Sequence, residues 1–278
     1  MGKMLSFLLI FALAAGLCGG ELRVVSLSPA LTELVCHLGK RSALVGRSVS
    51  CDLPEEVRSL PVAGDFAKPS LEKLARLKPT LVLADSLQDV SVKQALEAMK
   101  IEIVLLPLAG FADYRQAVRT LGEKLDAKDA ADAELARVDR VLRGLNEHHP
   151  AGGKRPRVLY IIWHSPLMVP GRHSFLAEFI RLAGGDHVGD CEAREYFRAA
   201  PEWVVRTAPE VVIFPGGGKA AFPPWWRELP AVKSGRVHTP PDEALFFRLS
   251  PRFDRALAEL EKMIAAPPRT PETKGPAR

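Results

Sequence analysis

The chain has 278 residues, of which 47% are hydrophobic, and a formal net charge of +5. This length is enough to bury one large or two medium hydrophobic cores. Lysine and arginine are interleaved with aspartate and glutamate, and no module that is both basic and aromatic stands out. The charge therefore indicates an ordinary solvated surface and argues against a nucleic-acid-binding protein.

The first twenty residues have the pattern of a secretory signal. Lys3 supplies a positive start, residues 5–17 form an apolar run, and small residues follow. Because the run is short for a membrane span, we predict a signal peptide over 1–20 and an exported protein, periplasmic or at the outer face of the cytoplasmic membrane. A lipid anchor at Cys18 is the alternative, although Leu17 is a poor residue to precede a lipidated cysteine.

The first half of the mature chain alternates strands and helices. We predict strands over 23–27, 43–46, 80–84 and 101–105 and helices over 30–38, 70–77 and 90–99. This order is typical of a mostly parallel sheet with helices on both faces. Residues 111–149 then show helical periodicity with one interruption near 126–128. The second helix of that stretch would be about 30 Å long, enough to connect two lobes.

The alternation restarts beyond residue 154. We predict strands over 157–162 and 236–238, a helix over 174–183, a helix followed by a strand over 200–214, and a last helix over 251–264. Residues 267–278 are rich in proline, threonine and charge, and we predict that this tail is disordered.

One segment of the chain occurs as two similar copies. SLEKLARLKPTLVL at 70–83 aligns without a gap with APEWVVRTAPEVVI at 200–213, so that Glu72 matches Glu202 and Arg76 matches Arg206. Flanking segments repeat in the same order, RVVSLSP resembling RVLYIIWHSP. We infer an α/β protein with two Rossmann-like lobes: an N-terminal lobe over 21–127, a single long backbone helix over 128–150, and a C-terminal lobe over 151–266.

Three cysteines follow the predicted signal: Cys36, Cys51 and Cys191. An odd count in an oxidising compartment allows at most one disulfide among them. Cys36 lies on an apolar helix face, whereas the other two lie in loops after a repeated Val-Gly. Cys51 and Cys191 are therefore the pair that we predict if a disulfide forms.

The sequence contains no recognisable catalytic motif. It has neither a nucleophile elbow nor a P-loop, because the glycines at 216–218 and Lys219 lack the required spacing. The seven histidines are scattered, and no pair has the helical spacing of metal ligands on a buried face. We predict a binding protein, not an enzyme. The alternatives from other classes are a two-lobed glycosyltransferase-like enzyme, with the loop at Gly216 holding a nucleotide phosphate, and a zinc or manganese binder.

Aromatic residues fall in the strand-end loops of both halves. Each alone is as readily a core residue, but as a set they indicate an apolar cleft for a large planar ligand. They are Phe66, Trp163, Tyr196, Phe197, Phe246 and Phe247, and His164 also follows a strand end.

These segments together resemble the class III periplasmic binding proteins, and most of all their cobalamin-binding members. RVVSLSPALTELVCHLG, LAGGDHVGD, RLSPRFDRAL and the repeated segment carry the resemblance from about residue 23 to 264. It implies two α/β lobes on a rigid helix, and the permease and ATPase of an ABC importer as partners. It also implies a metal-chelate ligand and no resident cofactor. We expect a cobalt corrinoid, with haem or a ferric siderophore as the alternatives.

The resemblance also implies particular site residues. Glu72 and Glu202, one on each lobe, would dock on arginines of the permease. Arg47, Arg194 and Arg198 would join Arg248 in the cleft if the ligand were a siderophore. Asp242, or alternatively Glu243, would contact polar groups of the ligand. The predicted ligand-binding set is Ser50, Phe66, Asp85, Trp163, His164, Tyr196, Phe197, Asp242 and Arg248.

Overall fold

The computed structural model describes residues 21–268 except 88, 90, 151 and 217–223. Outside the described residues lie the predicted signal peptide, which includes Cys18, and most of the tail that was predicted to be disordered. Lys219 lies outside them as well. The strands are β1 (Val24–Ser26), β2 (Leu44–Ser48), β3 (Val62–Asp65), β4 (Lys68–Pro69), β5 (Leu81–Ala84), β6 (Glu102–Leu105), β7 (Arg157–Tyr160), β8 (Trp163–His164), β9 (Leu167–Pro170), β10 (Asp186–His187), β11 (Tyr196–Arg198), β12 (Val211–Ile213) and β13 (Val237–His238). The α-helices are α1 (Pro29–His37), α2 (Leu71–Leu77), α3 (Ser91–Ala98), α4 (Phe111–Lys124), α5 (Lys128–His148), α6 (Phe175–Leu182), α7 (Pro201–Thr207), α8 (Pro230–Lys233) and α9 (Phe253–Ala265).

The N-terminal half forms one sheet in the order β4-β3-β2-β1-β5-β6. Its neighbouring strands are parallel except for the antiparallel pair β3–β4. Both β1 and β5 are completely buried, which explains their continuous apolar sequences. The α/β class with mostly parallel sheets is confirmed. The sequence did not predict β3 and β4, since VAGD and KP have little intrinsic strand preference.

The C-terminal half repeats the central part of that sheet. Its strands β10-β7-β12-β13 are all parallel and correspond in order to β2-β1-β5-β6. The repeated helices α2 and α7 both end at a left-handed residue, Lys78 and Ala208. Arg23 donates to the carbonyls of Leu77 and Lys78, and Arg157 donates to that of Ala208. The repeat in the sequence is therefore a repeat in the structure.

A small antiparallel sheet, β11-β9-β8, lies outside this repeat. It corrects the sequence prediction, which extended one strand from 157 to 162. The chain leaves the parallel sheet after Tyr160 and enters β8 at Trp163. Strands of two to four residues depend on their partners and carry little periodicity of their own.

The two halves share their largest hydrophobic core. Phe111, at the start of α4, lies 5.7 Å from Phe179 on α6 and 5.0 Å from Phe253 on α9, measured between ring centroids. The same core contains Leu34 from α1 and Val138 from α5. Two smaller cores lie on the other face of each sheet. The α4, α5, α6 and α9 helices thus pack between the sheets.

A buried carboxylate ties the connecting helix α5 to the N-terminal half. The side chain of Glu134 is only 1% exposed, and its oxygens lie 2.7–2.8 Å from Tyr114 Oη, His37 Nε2 and Arg137 Nε. Burial by itself would raise the pKa of Glu134, but the hydrogen bonds from these partners outweigh it and lower the pKa to about 2.

Cys51 and Cys191, the pair predicted if a disulfide forms, are not joined, and both are free thiols. The Sγ of Cys51 is buried 3.1 Å from both Thr32 Oγ1 and Ser48 Oγ, inside the N-terminal half. Cys191 is exposed on the C-terminal half. In the part of the chain that the structure describes, no helix has the length and apolar character to cross a bilayer.

A candidate ligand-binding cleft between the lobes

A cavity of about 360 Å³ opens where the two lobes face each other. Ala30, Asp85 and Leu108 line its N-terminal side and follow the carboxyl ends of β1, β5 and β6. This edge of a parallel sheet is the usual place for a ligand. A second cavity of about 140 Å³ adjoins it in the C-terminal lobe and shares Phe175, Tyr196 and Phe247 with it.

Three exposed aromatic rings line the larger cavity. Phe66 of the N-terminal lobe is 41% exposed, and Tyr196 and Phe247 of the C-terminal lobe are 37% and 66% exposed. Phe66 lies at the tip of the hairpin β3–β4, where Ala67 adopts a left-handed backbone (φ 54°) that closes the two-residue turn. Large apolar side chains left open to water around one cavity indicate a ligand surface.

Asp85 is held in the cavity wall by the residue that caps α1. Ser28 Oγ accepts from Leu31 N at the start of the helix and donates to Asp85 Oδ2 at 2.9 Å. Burial raises the pKa of Asp85, and its hydrogen bonds, above all the one from Ser28, oppose that effect. Glu195 is the second carboxylate in the lining. Burial and the charge of Glu195 together raise the pKa of neighbouring Tyr196.

Arg248 also lines the cavity, but its guanidinium is engaged by the N-terminal lobe. Its Nε donates to Glu33 Oε1 and its Nη2 to Asp52 Oδ1, both at 2.6 Å. Arg252 Nε donates to the other oxygen of Glu33 at 2.8 Å. The side chains of Glu33 and Arg248 are only 6% and 13% exposed. We call these four residues the interlobe ion cluster. The arginine that was predicted to contact ligand is thus bound between two carboxylates of the protein.

Five residues of the predicted set line neither cavity: Ser50, Trp163, His164, Phe197 and Asp242. Phe197 is buried against Trp203 at 5.2 Å between centroids, so the structure places it in the core and corrects its assignment to the cleft. Asp242 accepts from Ala244 N and caps the 3-10 helix Glu243–Phe246. Ser50 is exposed in the turn after β2, and Trp163 and His164 are exposed on β8.

Sequence reasoning left Phe175 and Glu195 out of the predicted site and named Phe247 only among the cleft aromatics, not in the ligand-binding set, although all three line the larger cavity. Phe247 follows the buried Phe246, and two adjacent phenylalanines in a sequence do not indicate which ring faces solvent. Glu195 directly precedes Tyr196 at the start of β11, so its position beside a predicted cleft residue could have placed it in the site.

The other arginines proposed for an anionic ligand do not gather in the cavity. Arg47 donates to the carbonyls of Ser48, Cys51 and Arg58, and so holds the loop after β2. Arg194 and Arg198 are exposed and line neither cavity. Within the described residues, no group of three or more His, Cys, Asp or Glu side chains is arranged to hold a metal ion.

The two predicted docking glutamates occupy equivalent exposed positions. Glu72 lies in the first turn of α2 and pairs with Arg76 one turn later. Glu202 lies in the first turn of α7. A carboxylate in the first turn also interacts favourably with the helix dipole, by about 0.3–1 kcal/mol.

The family model described as "Periplasmic binding protein" matches residues 24–244. Three similar curated proteins cover most of the chain. An ABC transporter substrate-binding lipoprotein of Bacillus subtilis, YvrC, is 26% identical over 87% of this chain and 79% of its own length. A vitamin B12-binding protein of Vibrio vulnificus is 25% identical over 84% and 86%. The high-affinity heme uptake system protein IsdE of Staphylococcus aureus is 22% identical over 87% and 86%.

Solved structures show the same fold. An ABC transporter substrate-binding protein from Listeria monocytogenes superposes with a TM-score of 0.75 at 25% identity, over 88% of this chain and 99% of its own. The periplasmic heme-binding protein RhuT from Roseiflexus superposes with a TM-score of 0.76 at 22% identity, over 88% and 100%.

Proposed function

This chain belongs to the periplasmic binding protein family, and from that premise we propose that it is the exported substrate-binding protein of an ABC importer whose ligand is a corrinoid of the vitamin B12 type. It binds that ligand in the interlobe cleft and delivers it to the permease and ATPase. Two of the relatives that cover most of the chain are named as binding proteins, and the third is named as a protein of a heme uptake system. The chain is accordingly a carrier and not an enzyme.

The observation that supports a large planar ligand is the set of exposed rings around one cavity. Phe66 comes from one lobe, and Tyr196 and Phe247 come from the other. A flat ring system placed between them would bury apolar surface on both of its sides, which stabilises the complex by about 25 cal/mol per Å² removed from water. The similarity to the vitamin B12-binding protein of Vibrio vulnificus supports a corrinoid within that class.

Haem is the second candidate, because aromatic walls suit a porphyrin equally and two relatives are named for heme. Haem iron is usually held by a histidine, cysteine, methionine or tyrosine side chain. The described residues that line the two cavities include only the last of these, Tyr160 and Tyr196. Burial raises the pKa of both, which opposes the phenolate form that would bind iron.

A ligand panel tests the proposal. Purified mature protein is titrated with cyanocobalamin, cobinamide, haem and a ferric siderophore, followed by tryptophan fluorescence and calorimetry. We expect saturable binding of both corrinoids and weaker or no binding of the others. The double variant with Phe66→Ala and Phe247→Ala should lose most of that affinity. Saturable binding of haem or of the siderophore alone would refute the corrinoid assignment and leave the carrier role in place.

Docking on the permease is proposed for Glu72 and Glu202, because they are exposed, acidic and equivalent in the two lobes. Reversal of both to lysine should abolish corrinoid uptake into cells and leave the ligand titration unchanged. The matched control reverses two other exposed helix carboxylates, Glu123 and Glu147, and should support normal uptake. Normal uptake by the Glu72→Lys, Glu202→Lys protein would refute the docking assignment.

A further inference from the structure

Given the proposed function, on which this step depends, we propose that the interlobe cavity selects its ligand by charge: it accepts neutral and cationic metal chelates and discriminates against anionic ones. Three charged side chains line the cavity, namely Asp85, Glu195 and Arg248. The ion pairs and hydrogen bonds of these three side chains determine which of their charges remain available to a ligand.

The positive charge in the cavity wall is already neutralised. Arg248 and Arg252 face Glu33 and Asp52 in the interlobe ion cluster, so two cations meet two anions. The Nε and Nη2 of Arg248 are each taken by a carboxylate at 2.6 Å. A ligand carboxylate that approached Arg248 would therefore have to compete with Glu33 and Asp52, which the fold already holds in place.

The negative charges have no such compensation. Asp85 lies on the N-terminal side of the cavity and Glu195 on the C-terminal side. In the described residues neither forms an ion pair, and Asp85 receives hydrogen bonds from the neutral hydroxyls of Ser28 and Ser86. Each side of the cavity therefore presents a carboxylate that no cationic side chain pairs with in the described residues.

This arrangement fits the periphery of a corrinoid. Its side chains end in primary amides, whose N–H groups donate to carboxylate oxygens. Haem instead carries two propionates, and a ferric siderophore complex is frequently an anion. An anionic group about 8 Å from one carboxylate, at an effective dielectric constant of about 20, would weaken binding by about 30-fold, and partial solvent exposure reduces this to about three- to tenfold.

The test compares two ligands that differ by one charge and little in shape: cyanocobalamin and a monocarboxylic acid made by hydrolysing one of its peripheral amides. Affinities are measured by fluorescence titration at low and high salt. We expect the amide form to bind about three- to tenfold more tightly at low salt, and the ratio to approach one at high salt because ions screen the repulsion.

Variants assign the effect to the cavity. Glu195→Gln and Asp85→Asn should each move the ratio toward one. Glu192→Gln, which changes a carboxylate three positions before Glu195 and outside the lining, should leave it unchanged. Equal or tighter binding of the acid by the unaltered protein would overturn the proposal. A ratio that Glu195→Gln and Asp85→Asn both leave unchanged would overturn it as well.

A second ligand pair separates this proposal from the identity of the ligand. Haem and its dimethyl ester differ by two charges on the same porphyrin. If no corrinoid binds, the corrinoid assignment fails, and tighter binding of the ester than of haem still supports selection by charge. Tighter binding of haem than of its ester would overturn selection by charge, whatever the corrinoids do.

Discussion

Replacing Arg248 with glutamine distinguishes a structural arginine from a ligand-binding one. The change removes the bonds to Glu33 and Asp52 and leaves Glu33, at 6% exposure, with Arg252 alone. Breaking a buried ion pair costs about 3–5 kcal/mol. Because Arg252 keeps two bonds to Glu33, we expect the lower end of that range. The half-exposed Asp52 adds at most about 1 kcal/mol.

We therefore expect Arg248→Gln to lower the free energy of unfolding by about 3–4 kcal/mol. The assay is urea unfolding at neutral pH, followed by tryptophan fluorescence and far-ultraviolet circular dichroism. The matched control is Arg255→Gln, an exposed arginine whose Nη2 lies 3.7 Å from Asp242, and it should change the free energy by about 0.5 kcal/mol or less. A double-mutant cycle with Glu33→Gln measures the coupling directly.

The same variant is then titrated with cyanocobalamin under conditions in which it is folded. If Arg248 serves the interlobe ion cluster, the affinity for this neutral ligand should change by no more than about twofold, or about 0.4 kcal/mol. The reasoning is refuted if the unfolding free energy falls no further than in Arg255→Gln. It is equally refuted if affinity drops tenfold while stability is unchanged, since Arg248 would then be the ligand contact that the sequence predicted.

Three further outcomes are expected. Phe66→Ala should weaken corrinoid binding about 5- to 30-fold through lost apolar contact and leave stability nearly unchanged, whereas Val205→Ala, an exposed apolar control on α7, should change neither quantity. Glu134→Ala should lower the unfolding free energy by about 3–5 kcal/mol. Because the pKa of Glu134 is depressed from 4.5 to about 2, this deficit against the wild type should be full above pH 4.5 and shrink as pH falls toward 2. Asp85→Asn should raise the thermal unfolding temperature at neutral pH, because burial raises the pKa of Asp85 and penalises its charged form. This gain in stability should fade as pH is lowered through that raised pKa, and a gain that grew in acid would contradict this reasoning.

Much of the fold follows from local signals. Completely buried strands such as β1 and β5 have continuous apolar sequences, and α4 and α5 have helical periodicity with a break at Asp126, where the backbone turns left-handed (φ 50°). Hairpin β3–β4 and the sheet β11-β9-β8 lack such signals, because their short strands are defined by pairing with segments elsewhere in the chain.

The candidate site was predictable in part. Phe66, Asp85, Tyr196 and Arg248 line the larger cavity, but the sequence assigned Tyr196 and Phe197 to the cleft together. Successive residues of a strand point to opposite faces, so one of that pair had to face away, and the structure buries Phe197. Nothing local predicted that Arg248 is bound by Glu33, because this pairing joins residues from opposite ends of the chain.

The shared core around Phe111 makes the two lobes one cooperative folding unit. Local unfolding of either lobe that separates Phe111 of α4 from Phe179 and Phe253 would expose these rings and the N-terminal residues of the same core to water. Sub-global opening of one lobe therefore costs nearly as much as unfolding the whole chain. We therefore expect the most slowly exchanging backbone amides to come from both halves, and limited proteolysis to release neither half as a stable fragment.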